Sequence, residues 1–283
     1  MLKTADISLT LLNVGLARHN GDWNWQNVRS PFARIYYVTE GEAQVVLPHT
    51  SLMLRPDRLY LIPPYMTHRY VNTGLFTHYY IHLYEQHDPS QLGIFDELDI
   101  PFEAEARPYD CLMCAQLCQL MPHLALEASN PETYDNHENL MKSLRESKQR
   151  PLGIRMEAKG IMQQLLSRFV CQAAPRLAEQ DDRINKAIKY ISQHLDSKIS
   201  LEQVATEAGL SKDHFIRLFR QTNDETPGHY IIRKKLEQAE LLLATTNNPV
   251  KQIAAQLGFE DVSYFVRLFR QHVGMPPKQY REV

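Results

Sequence analysis

Two six-residue segments, Phe215-Ile-Arg-Leu-Phe-Arg220 and Phe265-Val-Arg-Leu-Phe-Arg270, stand 50 positions apart and carry arginine at the same two places. A guanidinium is always charged and donates in a planar fork, so it can meet guanine O6 and N7 in the DNA major groove, or a backbone phosphate. If each segment is helical, Phe215, Leu218 and Phe219 fall at i, i+3 and i+4, as do Phe265, Leu268 and Phe269, and form the buried stripe. The opposite face then presents Asp213, Ile216, Arg217 and Arg220 in one copy and Ser263, Val266, Arg267 and Arg270 in the other. Ile216 and Val266 suit contact with thymine methyl groups.

The elements that must hold these faces are also duplicated. Leu201-Glu-Gln-Val-Ala205 followed by Gly209 returns as Val250-Lys-Gln-Ile-Ala254 followed by Gly258, 49 positions later. Each copy reads as a short helix, a turn at a glycine able to take positive φ, and a second helix. Between the copies a helix is expected from about Pro227 to Ala244. At 1.5 Å rise per residue it is about 27 Å long, comparable to the roughly 34 Å between successive major grooves. One such motif could equally be a plain helical bundle with solubilising arginines; two copies with matching core and matching exposed residues argue against that.

These residues resemble the DNA-binding domain of AraC/XylS-type bacterial transcription regulators across residues 183–283. The matching pieces are Ile199-Ser-Leu, Val204-Ala205, Gly209-Leu-Ser, Thr226-Pro227, Tyr230, Ile253-Ala254, Leu257-Gly258-Phe259, Phe265, Phe269-Arg270, Gly274-Met-Pro-Pro and Tyr280-Arg281. The resemblance implies a double helix-turn-helix unit that binds double-stranded DNA. Its base-reading positions fall on Asp213, Ile216, Arg217, Ser263, Tyr264 and Arg267, and its phosphate contacts on Lys212, Arg220 and Arg270. Lys235 departs from the arginine usual in the linking helix, and a lysine cannot copy a bidentate pair.

The N-terminal half has a different grammar. Short β-branched and aromatic runs, Arg34–Val38, Ala43–Leu47, Leu59–Ile62 and Thr77–Leu83, alternate with turn residues such as Glu40-Gly41, Pro48-His49 and Asn72-Thr73-Gly74, which predicts an antiparallel sandwich or barrel. Ile35-Tyr-Tyr-Val-Thr-Glu-Gly41-Glu and Leu54-Arg-Pro, Leu61-Ile-Pro-Pro64 and His68 resemble a cupin-like sensor domain over roughly residues 20–85. That resemblance implies a β-barrel holding a small-molecule effector, for example a sugar, with Arg34, Tyr36, His68, Tyr80 and His82 as the candidate effector-binding residues. His78, Tyr80 and His82 share one strand face. A metal-dependent cupin enzyme would need clustered ligands, commonly His-x-His, and the sequence has none, so no catalytic residue, metal or cofactor is assigned.

After Pro108 the period lengthens to about 3.6, with Leu112, Leu117, Leu120 and Leu124, then Ile161, Leu165, Leu166 and Phe169, predicting helices separated by a polar stretch from Ser129 to Gln149. Cys111, Cys114 and Cys118 share a face of the first helix and read as small core residues more readily than as a redox or zinc site. The chain has 283 residues, 43% hydrophobic and 23% charged, enough for more than one core. Residues 183–283 hold 15 Lys+Arg against 11 Asp+Glu, leaving 16 against 22 before them, so the basic surplus sits with the arginine repeats. No run approaches the roughly 18 apolar residues of a spanning helix, and four cysteines are too few for a disulfide scaffold, so a cytoplasmic protein is expected.

Together these readings predict an α+β multidomain protein: a cupin-like β-barrel sensor at 1–107, a helical dimerisation segment at 108–173, a linker at 174–182 and an all-α double helix-turn-helix domain at 183–283. The expected function is effector-controlled transcription regulation by a homodimer, which as an activator would also meet RNA polymerase. The competing readings are a cupin-type enzyme with a helical assembly domain and an architectural DNA binder without an effector.

Overall fold

A computed structural model describes residues 7–85, 92–135, 137–175 and 181–282. The strands are β1 (Leu9–Asn20), β2 (Ala33–Gly41), β3 (Ala43–Val46), β4 (Ser51–Leu54), β5 (Arg58–Ile62), β6 (Arg69–Val71) and β7 (Leu75–Glu85). Helix α1 (Ile94–Glu97), β8 (Leu98–Asp99) and β9 (Glu103–Glu105) follow, then α2 (Asp110–Leu120), α3 (Pro131–Tyr134), α4 (His137–Gln149), α5 (Leu152–Val170) and β10 (Ala174–Pro175). The last seven helices are α6 (Asp182–Gln193), α7 (Leu201–Glu207), α8 (Lys212–Asn223), α9 (Pro227–Thr245), α10 (Val250–Gln256), α11 (Val262–Val273) and α12 (Pro277–Glu282). None of the helices is long and apolar enough to cross a membrane among the described residues.

The chain divides into two compact units. In the first, an antiparallel five-stranded sheet of order β1-β7-β2-β5-β9 faces a three-stranded sheet of order β4-β3-β6. Trp23, Tyr36, Val45, Leu54, Tyr60, Tyr70 and Phe76, drawn from both sheets and the β1–β2 connection, form their shared core. No strand pairing among the described residues closes the sheets on each other, so the expected barrel is corrected to an open pair of sheets. Helices α2, α4 and α5 pack on β1, which explains why Leu11, Leu12, Val14, Ile81 and Leu83 are all buried on strands whose other face is buried as well.

The helices after Pro108 therefore belong to the sheet unit. Asp110, at the first turn of α2, and Arg168, in the last turn of α5, form a buried bidentate pair at 2.9–3.2 Å and pin the two helices antiparallel. The polar stretch 129–149 is mostly helical rather than a bare connection, because Leu140 and Leu144 recur one turn apart and bury against the sheet side of α4. Of the cysteines, Cys114 is buried, with its thiol pushed well up by desolvation, whereas Cys111 and Cys118 are half-buried.

The second unit holds α6–α12 together with residues 92–99. Leu92 joins the core of Ile184, Ile188, Val204, Phe215, Phe219 and Tyr230, and Asp96 accepts from Lys234 Nζ at 2.5 Å. A second core, of Leu236, Leu243, Ile253, Leu257, Phe265 and Phe269, lies on the other half of α9. Helix α9 spans 19 residues, starts at Pro227 with Thr226 as its N-cap, and contributes to both cores. The unit is thus two small cores that share one helix, α6–α8 packing on the first half of α9 and α10–α12 on the second. Where a linker was expected at 174–182, Ala174–Pro175 pairs with β8, and Asp181 caps α6; residues 176–180 of that expected linker lie outside the described residues.

Candidate nucleic-acid interface and a buried cavity

Helices α8 and α11 are presented with the same pattern of burial. Phe215, Phe219, Phe265 and Phe269 are fully buried, while Asp213, Arg217, Arg220, Ser263, Tyr264, Arg267 and Arg270 are exposed. Leu218 and Leu268 are half-buried, so the apolar stripe is narrower than its spacing implied. Ile216 is half-buried against the first core, leaving only part of its side chain for a partner. Asp261 caps α11 by accepting from the amides of Ser263 and Tyr264 at 2.7 and 3.3 Å, which seats those two residues at the helix entry.

Among the described residues no carboxylate pairs with Arg217, Arg220, Arg267 or Arg270. Their charges are therefore available to an outside anion. Lys212 is engaged instead, holding Glu202 at 2.6 Å, and this pair keeps the Glu202 carboxyl below its ordinary range. Arg267 stacks over the Tyr264 ring at 5.3 Å, so its guanidinium plane is held before any ligand arrives. The fold gathers these residues into two shallow recesses: Asp213, Ile216, Arg217, Arg220 and Thr226 line one, and Glu260, Ser263, Tyr264 and Arg267 line the other.

Lys235 sits where the two helix-turn-helix copies meet. Its Nζ donates to the carbonyls of Ser197 and Leu257 at 2.5 and 2.6 Å, one from each copy, and burial pushes the ammonium down to about 8. The task is that of a point donor between two acceptors, which lysine performs without a guanidinium fork. Gly209 and Gly258 both take positive φ, 67° and 68°, as their turns require. At Gly258 a Cβ would also stand 2.3 Å from the Ser197 carbonyl carbon, so this glycine lets the turn of one copy touch the backbone of the other.

In the sheet unit, β7 places His78, Tyr80 and His82 on one face, opposite Val38, Tyr36 and Arg34 of β2 and Ala17, Gly15 and Asn13 of β1. A cavity of about 360 Å³ lies on this face, lined by Tyr36, His78, Tyr80 and His82 together with His19, Asp22, Trp23, Tyr134 and residues 126–129. Tyr36, Tyr80 and His82 of the candidate effector residues are thus brought together. Arg34 and His68, the other two candidate effector residues, are not among the residues lining this cavity. Arg34 is fully buried, and its Nη2 donates to Ser30 at 2.7 Å and to Asp135 at 2.6 Å. His68 is closed off by Met66 and Tyr70, and burial brings its ring down to about 3.

His19 and Tyr134 were not legible in the sequence, since neither lies in a motif; only the register of β1 on β7 and the return of residues 126–135 over the sheet bring them to the cavity. His78 and His82 are held well below the ordinary histidine range by burial, and His82 also by the nearby Arg34 charge. No group of His, Cys, Asp or Glu among the described residues is arranged to hold a metal ion.

Known proteins share the helix-turn-helix half of this description. The profile of the helix-turn-helix domain family matches residues 204–282. The regulatory protein SoxS of Salmonella typhimurium is 35% identical over 98 residues, covering 35% of this chain and 92% of SoxS. The chain belongs to the AraC family of transcription regulators. The probable transcriptional regulator LumQ of Photobacterium leiognathi is 36% identical over 102 residues, and the arabinose operon regulatory protein of Escherichia coli is 35% identical over 102. These matches span only 41% and 35% of those two proteins' own lengths. Among solved structures, the DNA-binding domain of AdpA in complex with a target DNA is 27% identical and is covered to 92%, which is 36% of this chain, with a TM-score of 0.35.

Proposed function

We propose that this AraC-family protein is a sequence-specific DNA-binding transcription regulator whose DNA-binding unit answers to a small molecule held in the sheet unit. The observation that carries the reading is the duplicated recognition face: exposed, unpaired Arg217 and Arg220 on α8 and Arg267 and Arg270 on α11, each behind an identical buried phenylalanine pair. Asp213, Ile216, Arg217, Ser263, Tyr264 and Arg267 read bases, and Arg220 and Arg270 hold phosphates. Lys212 reaches a phosphate only by releasing Glu202.

The effector site is the cavity over β7, whose volume suits a molecule of sugar size and whose aromatic lining provides flat apolar walls. A homodimer forms through the α2 and α5 pair, which exposes Tyr109, Leu112, Leu152 and Met156. Effector controls DNA binding only insofar as it binds one conformation of the protein better than another.

The test is selection of bound sequences from a random duplex pool by the full-length protein, repeated with Arg217→Ala and Arg267→Ala together. A defined consensus that the double variant loses supports the reading. Recovery of no consensus by the unaltered protein, with equal binding of all duplexes, overturns it.

A further inference from the structure

The two helix-turn-helix copies match at their arginines but not at every cation. Beyond the second turn the offset is 50 residues, so Lys212, the first residue of α8, returns as Val262, the first residue of α11. A valine has no donor for a phosphate, and the backbone of α11 does not make up the loss. The amides of Ser263 and Tyr264 at its entry already donate to the Asp261 carboxylate, whereas Ser211 makes no such side-chain bond at the entry of α8. The second recognition helix therefore lacks, from its own copy, both means by which the first can hold an anion at its start.

The fold supplies a lysine there from the other copy. Lys198 lies in the α6–α7 connection and lines the recess of Ser263, Tyr264 and Arg267. Its backbone is fixed from two sides. The preceding Ser197 carbonyl accepts from Lys235 Nζ at 2.5 Å, and the Lys198 amide nitrogen would stand 2.8 Å from a Cβ at Gly258, so this loop closes directly on the turn that leads into α11. Lys198 Nζ donates to Glu260 Oε1 at 3.0 Å, and the two side chains are 75% and 76% exposed. An ion pair so open to water is weakly held and readily exchanged. Lys212 is engaged in the same way by Glu202 in the first copy. Each recognition helix thus starts beside a lysine–glutamate pair, but the lysine of the second is borrowed from the first.

We propose, on the DNA-binding reading, that Lys198 is the backbone-phosphate contact at the entry of the second recognition helix and that Glu260 holds it in reserve. On a duplex the ammonium leaves the carboxylate for a phosphate oxygen. Glu260 then acts as a brake: its carboxylate stands in the same recess as Arg267, where it repels a duplex and competes with it for Lys198. Phosphates are alike at every base pair, so both residues act on affinity and not on the choice of sequence.

The experiment is fluorescence-anisotropy titration of the full-length protein with a random-sequence duplex and with the duplex recovered by selection, each over a series of salt concentrations. Glu260→Gln is expected to tighten both duplexes by the same factor. In that background, which removes the carboxylate that Lys198→Gln would otherwise leave unpaired, Lys198→Gln is expected to weaken both alike and to lower the slope of log K against log salt by about one. Both side chains are exposed, so the variants keep the fold. A slope that Lys198→Gln leaves unchanged overturns the proposal. So does a Glu260→Gln variant that loses affinity at a single base pair of the selected duplex, since the carboxylate would then be reading a base amino group. Arg270→Ala, measured alongside, separates this failure from a wider one. If Arg270→Ala lowers the slope and Lys198→Gln does not, only the role of Lys198 falls; if neither variant changes the binding of any duplex, or the unaltered protein binds none, the DNA-binding face falls with it.

Discussion

Arg267 and Arg270 are exposed one turn apart on α11, and the proposed reading gives them different partners on a duplex. Arg267 lies in the recess with Ser263 and Tyr264, and its guanidinium is stacked on Tyr264, an arrangement suited to a base edge. Arg267→Ala should cost about 1–3 kcal/mol at the preferred site and relax selection at one base position, measured by equilibrium binding to that site and its single-base variants. Arg270 is exposed in the last turn of α11, and the proposed reading gives it a phosphate. Arg270→Ala should weaken all duplexes alike and lower the slope of log K against log salt by about one. An equal loss at all sequences for Arg267, or an unchanged slope for Arg270, would exchange or cancel those roles.

At the scale of elements, two buried polar joints decide how helices meet. Lys235→Met leaves the Ser197 and Leu257 carbonyls without their donor, and a buried group left unsatisfied costs about 1–3 kcal/mol. Because those carbonyls belong to different helix-turn-helix copies, the variant should lose more affinity for a two-groove site than for either half alone, measured on full and half-site duplexes. Equal losses on all three would mean that Lys235 contributes only stability. In the sheet unit, Arg168→Met strands the buried Asp110 carboxylate, and removing one partner of such a pair costs about 3–5 kcal/mol, readable by urea denaturation. The repeat itself was legible because helix periodicity and turn glycines are local signals: Phe215, Phe219 and Gly209 need only their own neighbours to be understood. The joints were not, since Lys235 and Gly258 acquire meaning only from Ser197, 38 and 61 residues away.

For the molecule as a whole, buried histidines set the response to acid. His68, His78 and His82 are neutral in the fold, with pKa values below that of an unfolded chain, so below about pH 6.5 the unfolded state binds more protons than the native one. Their contribution to stability is whole above pH 6.5 and is lost as pH falls, for His68 down to about 3. Asp135, whose carboxyl is raised by burial, opposes the trend over its own range, since protonating it relieves a desolvated charge. The net expectation is a melting temperature of the sheet unit that falls from pH 7 to pH 5, and a flat profile would contradict the neutral, buried assignment of these rings.

The sequence by itself determined the doubled helix-turn-helix, its buried phenylalanines and its exposed arginines, because each depends on spacings of three, four and fifty along one chain. It also identified a strand-rich half, but not its closure. β-pairing joins residues far apart, and the same alternating runs fit a barrel or two open sheets until register is known. Arg34 shows the same limit in one side chain: its strand face was legible, but Asp135, 101 residues later, takes its charge and removes it from the cavity. The tertiary structure alone decided which histidines share a pocket and which buried charges are already matched, since each is a property of groups that meet only after the chain has folded.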